Sequence, residues 1–330
     1  MKQDISKVLT MLDIQPILVD VGASGAPPKI WDPVAPYSIY VGFDPDRREL
    51  HETSEGQFAR SIIVNEAVTS ATNSGEVHFY LTSSPFCSST LSPDTESLED
   101  YLFSNLFVVE REVAVPASTL DSVFERMGIK NIDWFKTDSQ GTDLRLFQSL
   151  PDDLRSRVLA VDIEPGLIDA YQGEDLFVDA HRKLLHQGFW CSALAVKGSV
   201  RMRRTTLQRM ASKRTGLTDN DIYGAVRQSP GWCEATYLRT IESLDQRDAD
   251  ERDYALLWIF AMMQQQWGFA LDVAVAYEQR FALDAVSFLL CDLPLKLIAE
   301  KNRNAPAMLK RFLPSQLKQF LKQLTLRSHS

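Results

Sequence analysis

Near the start of the chain a short apolar strand runs straight into a glycine turn. Ile17-Leu18-Val19-Asp20-Val21 is followed by Gly22-Ala23-Ser24-Gly25. Glycine allows positive φ and lets a ligand approach the backbone closely. In a βαβ nucleotide site, an acid about 20 residues further on accepts hydrogen bonds from ribose hydroxyls. Asp44 stands there, at the end of the next apolar stretch, Tyr37 to Phe43. The dinucleotide pattern GxGxxG is not met, because Ala26-Pro27-Pro28 follows the turn. Those prolines remove N–H donors and delay a helix, so a pyrophosphate loses its usual seat. A phosphate-free nucleoside such as S-adenosylmethionine fits better than NAD. The plainer alternative is an ordinary strand turn with an unrelated acid downstream.

The same alternation continues. Ser61 to Val64, Glu76 to Thr82, Ile132 to Thr137 and Val158 to Ile163 read as further strands. Helical patterns fall between them, notably Ser118 to Met127 and Asp179 to Gln187. Strands alternating with helices predict an α/β fold with a mostly parallel sheet. After about Arg204 helical periodicity dominates, broken at Gly216, Pro230-Gly231, Gly268, Pro294, Pro306 and Pro314. This predicts two regions: 1–204, which binds the cofactor, and a helical 205–330, which contacts an acceptor, a partner or a membrane surface.

Composition narrows the function. Hydrophobic residues make up 45% of the 330-residue chain and charged residues 24%, so a sizeable core can form. A net charge of -9 argues against bulk nucleic-acid binding. Cys87, Cys191, Cys233 and Cys291 form no CxxC pair, which suggests neither a zinc site nor a disulfide framework. Asp4, Asp13 and Asp20 interrupt every apolar stretch at the N-terminus, so no signal peptide is expected and a cytoplasmic setting is the simplest.

Several segments, in order, resemble the FkbM family of methyltransferases. VDVGASG and VGFDPD match its first two motifs, and Val64-Asn65-Glu66-Ala67-Val68 with Gly75 to Tyr80 is similar to its third-strand hairpin. Val115-Pro116-Ala117-Ser118-Thr119-Leu120-Asp121 is similar to its V-P-x-x-T-L-D segment. The sharpest match is Ile132-Asp133-Trp134-Phe135-Lys136-Thr137-Asp138-Ser139-Gln140-Gly141-Thr142-Asp143, where the family reads approximately I-D-x-L-K-I-D-V-(E/Q)-G-x-E. The resemblance covers about residues 15 to 200. It implies a Rossmann-like class I methyltransferase sheet, its last strand antiparallel, with S-adenosylmethionine as cofactor. Carried over by position, Asp20, Gly22 and Gly25 surround the methionine part, Ala23 belongs to the same cofactor-binding turn and Asp44 holds the ribose. Asn65 and Ala67 lie near the adenine, and Asp138 faces the transferable methyl. Ser139, Asp143 and Asp44 depart from the usual apolar residue, glutamate and glutamate.

The chemistry asks chiefly for alignment of donor and acceptor and exclusion of water. A hydroxyl acceptor also benefits from a base. Asp138 is the first candidate, at the end of a strand, with Lys136 on the same face to orient it or pair with it. Glu164 either lines the acceptor pocket or caps a helix. His181 and His186 point apart on a helix, so no metal ligand pair is expected. The basic run from Lys197 to Arg214 offers an anion seat or a solvated face. Leu309, Phe312, Leu313, Leu317, Phe320, Leu321 and Leu324 form an apolar stripe. It packs on the body or, within 301–330, lies on a membrane surface. The leading expectation is O-methylation of a small-molecule or glycan acceptor, with homo-oligomerisation left open. The alternative is a non-catalytic module that interacts through its helical region.

Overall fold

The computed structural model describes residues 1–45, 56–70, 75–212, 218–281 and 283–304. The described strands are β1 (Ile17–Val21), β2 (Ile39–Phe43), β3 (Arg60–Val64), β4 (Ala67–Val68), β5 (Glu76–Thr82), β6 (Val109–Ser118), β7 (Trp134–Thr137), β8 (Ala160–Ile163), β9 (Phe189–Ser199) and β10 (Ser229–Arg239). Seven of them form one sheet in the order β3-β2-β1-β7-β8-β10-β9. From β3 to β8 the neighbours pair in parallel. β10 runs antiparallel to both of its neighbours. The order reverses at β1, since the chain steps outward to β3 and later lays β7 on the other side of β1. Ligand crevices in such sheets open at that switch point, beyond the carboxyl ends of the strands. A second, three-stranded sheet has the order β4-β6-β5.

The two faces of the large sheet carry different chemistry. Val19, Val41, Phe43, Phe135, Val161, Ile163 and Tyr237 point to one face. They pack there with Val123, Phe124, Phe147 and Leu184 from the helices Leu120–Met127, Asp143–Gln148 and Phe177–His186. On the other face the strand register aligns Asp20, Lys136, Asp162 and Thr236 in one row across β1, β7, β8 and β10. Buried parallel strands are usually near-continuous hydrophobic runs, so each member of such a row needs a partner. Lys136 Nζ donates to Asp20 Oδ1 at 2.8 Å, and Tyr40 Oη to Asp20 Oδ2 at 3.1 Å. Trp134 Nε1 donates to Asp162 Oδ2 at 2.7 Å. Trp31 sits edge-on to Tyr40 and Trp134, giving this face its aromatic cover.

The chain divides into two compact units: Gln15–Ser243, and Met1–Ile14 together with the residues from Leu244 onward. The boundary expected at 204 is therefore corrected to 243. The reason is β10, which lies inside the stretch expected to be helical and inserts between β8 and β9. Alternation was present in Trp232-Cys233-Glu234-Ala235-Thr236-Tyr237, with Cys233, Ala235 and Tyr237 buried. Pro230-Gly231 conceals it by resembling a helix break.

The other unit holds the helices Lys2–Met11, Glu251–Met263, Trp267–Arg280 and Ala285–Asn304. Every residue from Asp253 to Met263 is buried, which makes Glu251–Met263 the centre of this unit. Asp250 caps its start by accepting from Asp253 N at 3.0 Å. Pro294, expected to end a helix, sits inside one. Proline there removes the N–H that would reach the carbonyl of residue 290. Trp258 Nε1 takes that place, donating to Leu290 O at 2.9 Å. The apolar stripe Leu309 to Leu324, together with Lys213 and Arg214, lies outside the described residues. No described helix is long and apolar enough to cross a membrane.

Candidate active site

Within Gln15–Ser243, the carboxyl ends of β1, β2, β7 and β8 open into a cavity of about 1250 Å³. Gly22 and Gly25 both adopt φ +78. A Cβ on Gly22 would stand 2.2 Å from the carbonyl oxygen of Asp138, so only glycine lets β1 and β7 end side by side. A Cβ on Gly25 would meet nothing within 4 Å. The N–H groups of Gly22 and Ala23 both donate to the carbonyl of Phe43 at 2.9 Å. They are not free to grip a phosphate.

Of the residues carried over for the cofactor, Gly22, Asp44, Ala67 and Asp138 line the cavity. Asp44 is only 7% exposed. Asn65 Nδ2 donates to the backbone carbonyl of Asp44 at 3.5 Å, so it contacts the Asp44 segment. Ala23 is buried beside the turn. Asp20 and Lys136 do not line the cavity. The expected pairing of Lys136 with Asp138 is corrected: the parallel register sets Lys136 directly opposite Asp20, and the ammonium goes there. Burial lowers the Lys136 pKa, but Asp20 first and then Asp138 more than offset this, and the net shift is upward.

The segment after β7 is tightly braced. Asp143 is fully buried and accepts from Thr137 Oγ1 at 3.0 Å, Ser139 N at 2.8 Å and Glu164 N at 2.8 Å. Ser139 Oγ also donates to Asp143. Two departures from the family pattern thus meet: the shorter acid at 143 is reached by the hydroxyl at 139. Burial pushes the Asp143 carboxyl up to about 6. Gln140 follows at φ +56, in the left-handed region that costs a non-glycine residue free energy. Its carbonyl accepts from Ser89 Oγ at 2.6 Å. Its side chain donates to Asp138 Oδ1 at 2.6 Å and accepts from Tyr171 Oη at 3.0 Å. Burial raises the Asp138 pKa, while Lys136 and Gln140 oppose the rise.

Glu164 leaves the end of β8 beside Asp138 and lines the same cavity. Among the described residues its carboxylate has no hydrogen-bond partner. Burial, then the nearby Asp138 charge, pushes it up to about 8. The far wall is aromatic. Phe103 stacks on Trp232 with centroids 6.2 Å apart, and Phe107 lies 5.2 Å from Phe103 and 5.6 Å from Tyr171. Sequence reasoning missed Gln140, Phe103, Phe107 and Trp232. Gln140 carried a signal, since it occupies the E/Q position of the motif around β7. Phe103 and Phe107 carried none, because their 3-10 helix, Leu102–Phe107, has no periodicity long enough to read.

Other candidates are placed elsewhere. His181 Nδ1 shares a 3.0 Å hydrogen bond with Tyr237 Oη. The described residues contain no group of His, Cys, Asp or Glu suited to a metal ion. Three arginines of the basic run meet acids: Arg201 and Arg203 pair with Asp100, and Arg204 with Asp219. Lys197 pairs with Glu234.

A mostly parallel sheet with a cavity at its switch point defines a ligand-binding α/β protein. The family model for the Methyltransferase FkbM domain matches residues 24–191, just over half of the chain. The chain belongs to this family and is a methyltransferase. No curated protein and no solved structure matches it significantly.

Proposed function

We propose that the protein transfers a methyl group from S-adenosylmethionine to a hydroxyl of a small-molecule or glycan acceptor. The sheet order, with β10 alone reversed, suits the class I methyltransferase fold. The observation that carries the reading is the Gly22 turn standing beside Asp44 at one end of the cavity. It offers a carboxylate for ribose hydroxyls while the N–H groups of Gly22 and Ala23 are spent on Phe43. That donor set suits a nucleoside without phosphate and disfavours a dinucleotide. Gly22 and Asp138 would border the methionine part, with Ala67 beside the adenine and Gly25 shaping the turn behind Gly22. Asp20, Ala23 and Asn65 act from behind, by holding the strand ends. A cavity of about 1250 Å³ exceeds the roughly 300–1,000 Å³ usual for one ligand, leaving room for an acceptor as well.

When bound, the sulfonium cofactor supplies an electrophilic methyl group. The chain's task is then alignment, exclusion of water and removal of one proton. Asp138 is held in one orientation by Gln140 and biased by Lys136, which makes it a fixed wall for the reacting centre. Lys136 is a positioning residue acting through Asp20. The test is transfer of radiolabel from methyl-tritiated S-adenosylmethionine to a panel of hydroxylated compounds. Label appearing as an ether supports the reading. Label appearing only on nitrogen or carbon acceptors overturns O-methylation.

A further inference from the structure

Six acids line the cavity among the described residues: Asp44, Glu66, Glu110, Asp138, Glu164 and Glu174. Arg111 is the one base among them. Several of these acids are already engaged. Glu66 accepts from Ser118 and pairs with Arg126 at 3.2 Å, and Glu174 accepts from Ala170 N at 2.7 Å and Tyr171 N at 3.0 Å. Glu164 is not. Its position is fixed from both sides: its N–H is held by Asp143, and two residues on Gly166 bridges to Trp232. The free carboxylate therefore stands where the aromatic wall of Trp232, Phe103, Phe107 and Tyr171 begins, next to Asp138.

Building on the proposed function, we infer that this half of the cavity takes an acceptor without anionic groups, whose hydroxyl-bearing ring lies on the aromatic wall and gives its proton to Glu164. Aromatic faces bury the apolar face of a ring, and a carboxylate beside them accepts from a hydroxyl. The same carboxylates repel a phosphate, sulfate or carboxylate on the acceptor. In the transfer step the acceptor O–H proton passes to the Glu164 carboxylate. The acceptor oxygen forms the new C–O bond as the methyl carbon's bond to sulfur breaks, and the sulfur keeps that electron pair. The basic run from Lys197 to Arg204 does not offer an anionic acceptor a seat, because its charges are spent on acids outside this wall or at its edge.

The experiment uses the full chain saturated with S-adenosylhomocysteine, the demethylated product. It is titrated with phenyl β-D-glucoside and phenyl β-D-glucuronide, which differ by one carboxylate. The buffer is held about one unit above the Glu164 pKa, so that its carboxylate is ionised. The glucoside is expected to bind at least about tenfold tighter. Glu164→Gln, which removes a charge but no existing hydrogen bond, should narrow that gap by at least about threefold. Trp232→Leu should weaken both glycosides alike, by about tenfold. Three results each overturn the inference: equal or tighter binding of the glucuronide, a gap unchanged in Glu164→Gln, or neither glycoside binding to a parent that holds S-adenosylhomocysteine. Failure of the parent to hold S-adenosylhomocysteine overturns the proposed function first, and this inference with it.

Discussion

The two ends of the cavity are built in different ways. The end at Gly22 and Asp44 is made of strand termini, and its shape is set by backbone: two glycines at positive φ and a turn that spends its N–H groups on the neighbouring strand. The end at Glu164 is made of side chains brought from three distant stretches, with Phe103, Phe107, Tyr171 and Trp232 touching ring to ring. Backbone-built geometry tolerates almost no substitution. A wall of side chains can be exchanged residue by residue, so under the proposed function acceptor choice can drift while the Gly22 end stays fixed.

If that contrast holds, the largest stability loss comes from beneath the donor end. Lys136→Met leaves Asp20 buried without its cation, and unfolding in urea should show a loss of about 3–5 kcal/mol. A loss within about 0.5 kcal/mol would mean that Tyr40 alone suffices for Asp20. Gly22→Ala comes next. The new methyl group meets the Asp138 carbonyl and φ is unfavourable, so about 2–3 kcal/mol should be lost, along with cofactor binding. Retained binding would break the claim that this turn is backbone-limited.

At the proposed acceptor end, Trp232→Leu should cost about 1–2 kcal/mol of stability, because half-buried Trp232 loses its stack on Phe103, and leave S-adenosylhomocysteine affinity unchanged. A cofactor affinity that falls with it would show that the two ends are not separable. The smallest effect is set by pH. The groups facing Glu164 are Lys136 on β7, Asp138 just past its end, Asp143 on the next helix, and Glu234 on β10. Its pKa is raised in the folded chain, from the 4.5 of a free glutamate to about 8. The protonated form therefore favours folding below 4.5, and that contribution is lost as pH rises through about 8. Glucuronide affinity should fall as pH rises through about 8 in the parent and stay flat in Glu164→Gln. Thermal melts should show the variant gaining on the parent at the alkaline end.

What the sequence made legible follows the same division. β1 and β5 fall on the residues expected, and the other expected strands lie within a few residues of their places, because each is a contiguous apolar or alternating run. Gly22, Asp44, Ala67 and Asp138 were legible because each belongs to a short local motif. Asp20 was expected at the cofactor and Lys136 beside Asp138; their pairing with each other was not legible, since cross-strand register cannot be read from one strand's own alternation. Phe103 and Trp232 were invisible as a pair. Their contact depends on β10 entering the sheet from a region whose proline and glycine suggest helix breaks. Pro294 shows the converse: a breaker tolerated because Trp258, from another helix, satisfies the carbonyl it frees.

The most direct test of the donor end is calorimetric titration of S-adenosylmethionine into the parent and into Asp44→Ala. The account predicts micromolar binding by the parent, weakened at least about tenfold when the carboxylate is removed. A folded parent that binds no S-adenosylmethionine, or an Asp44→Ala variant that binds it equally well, would contradict it.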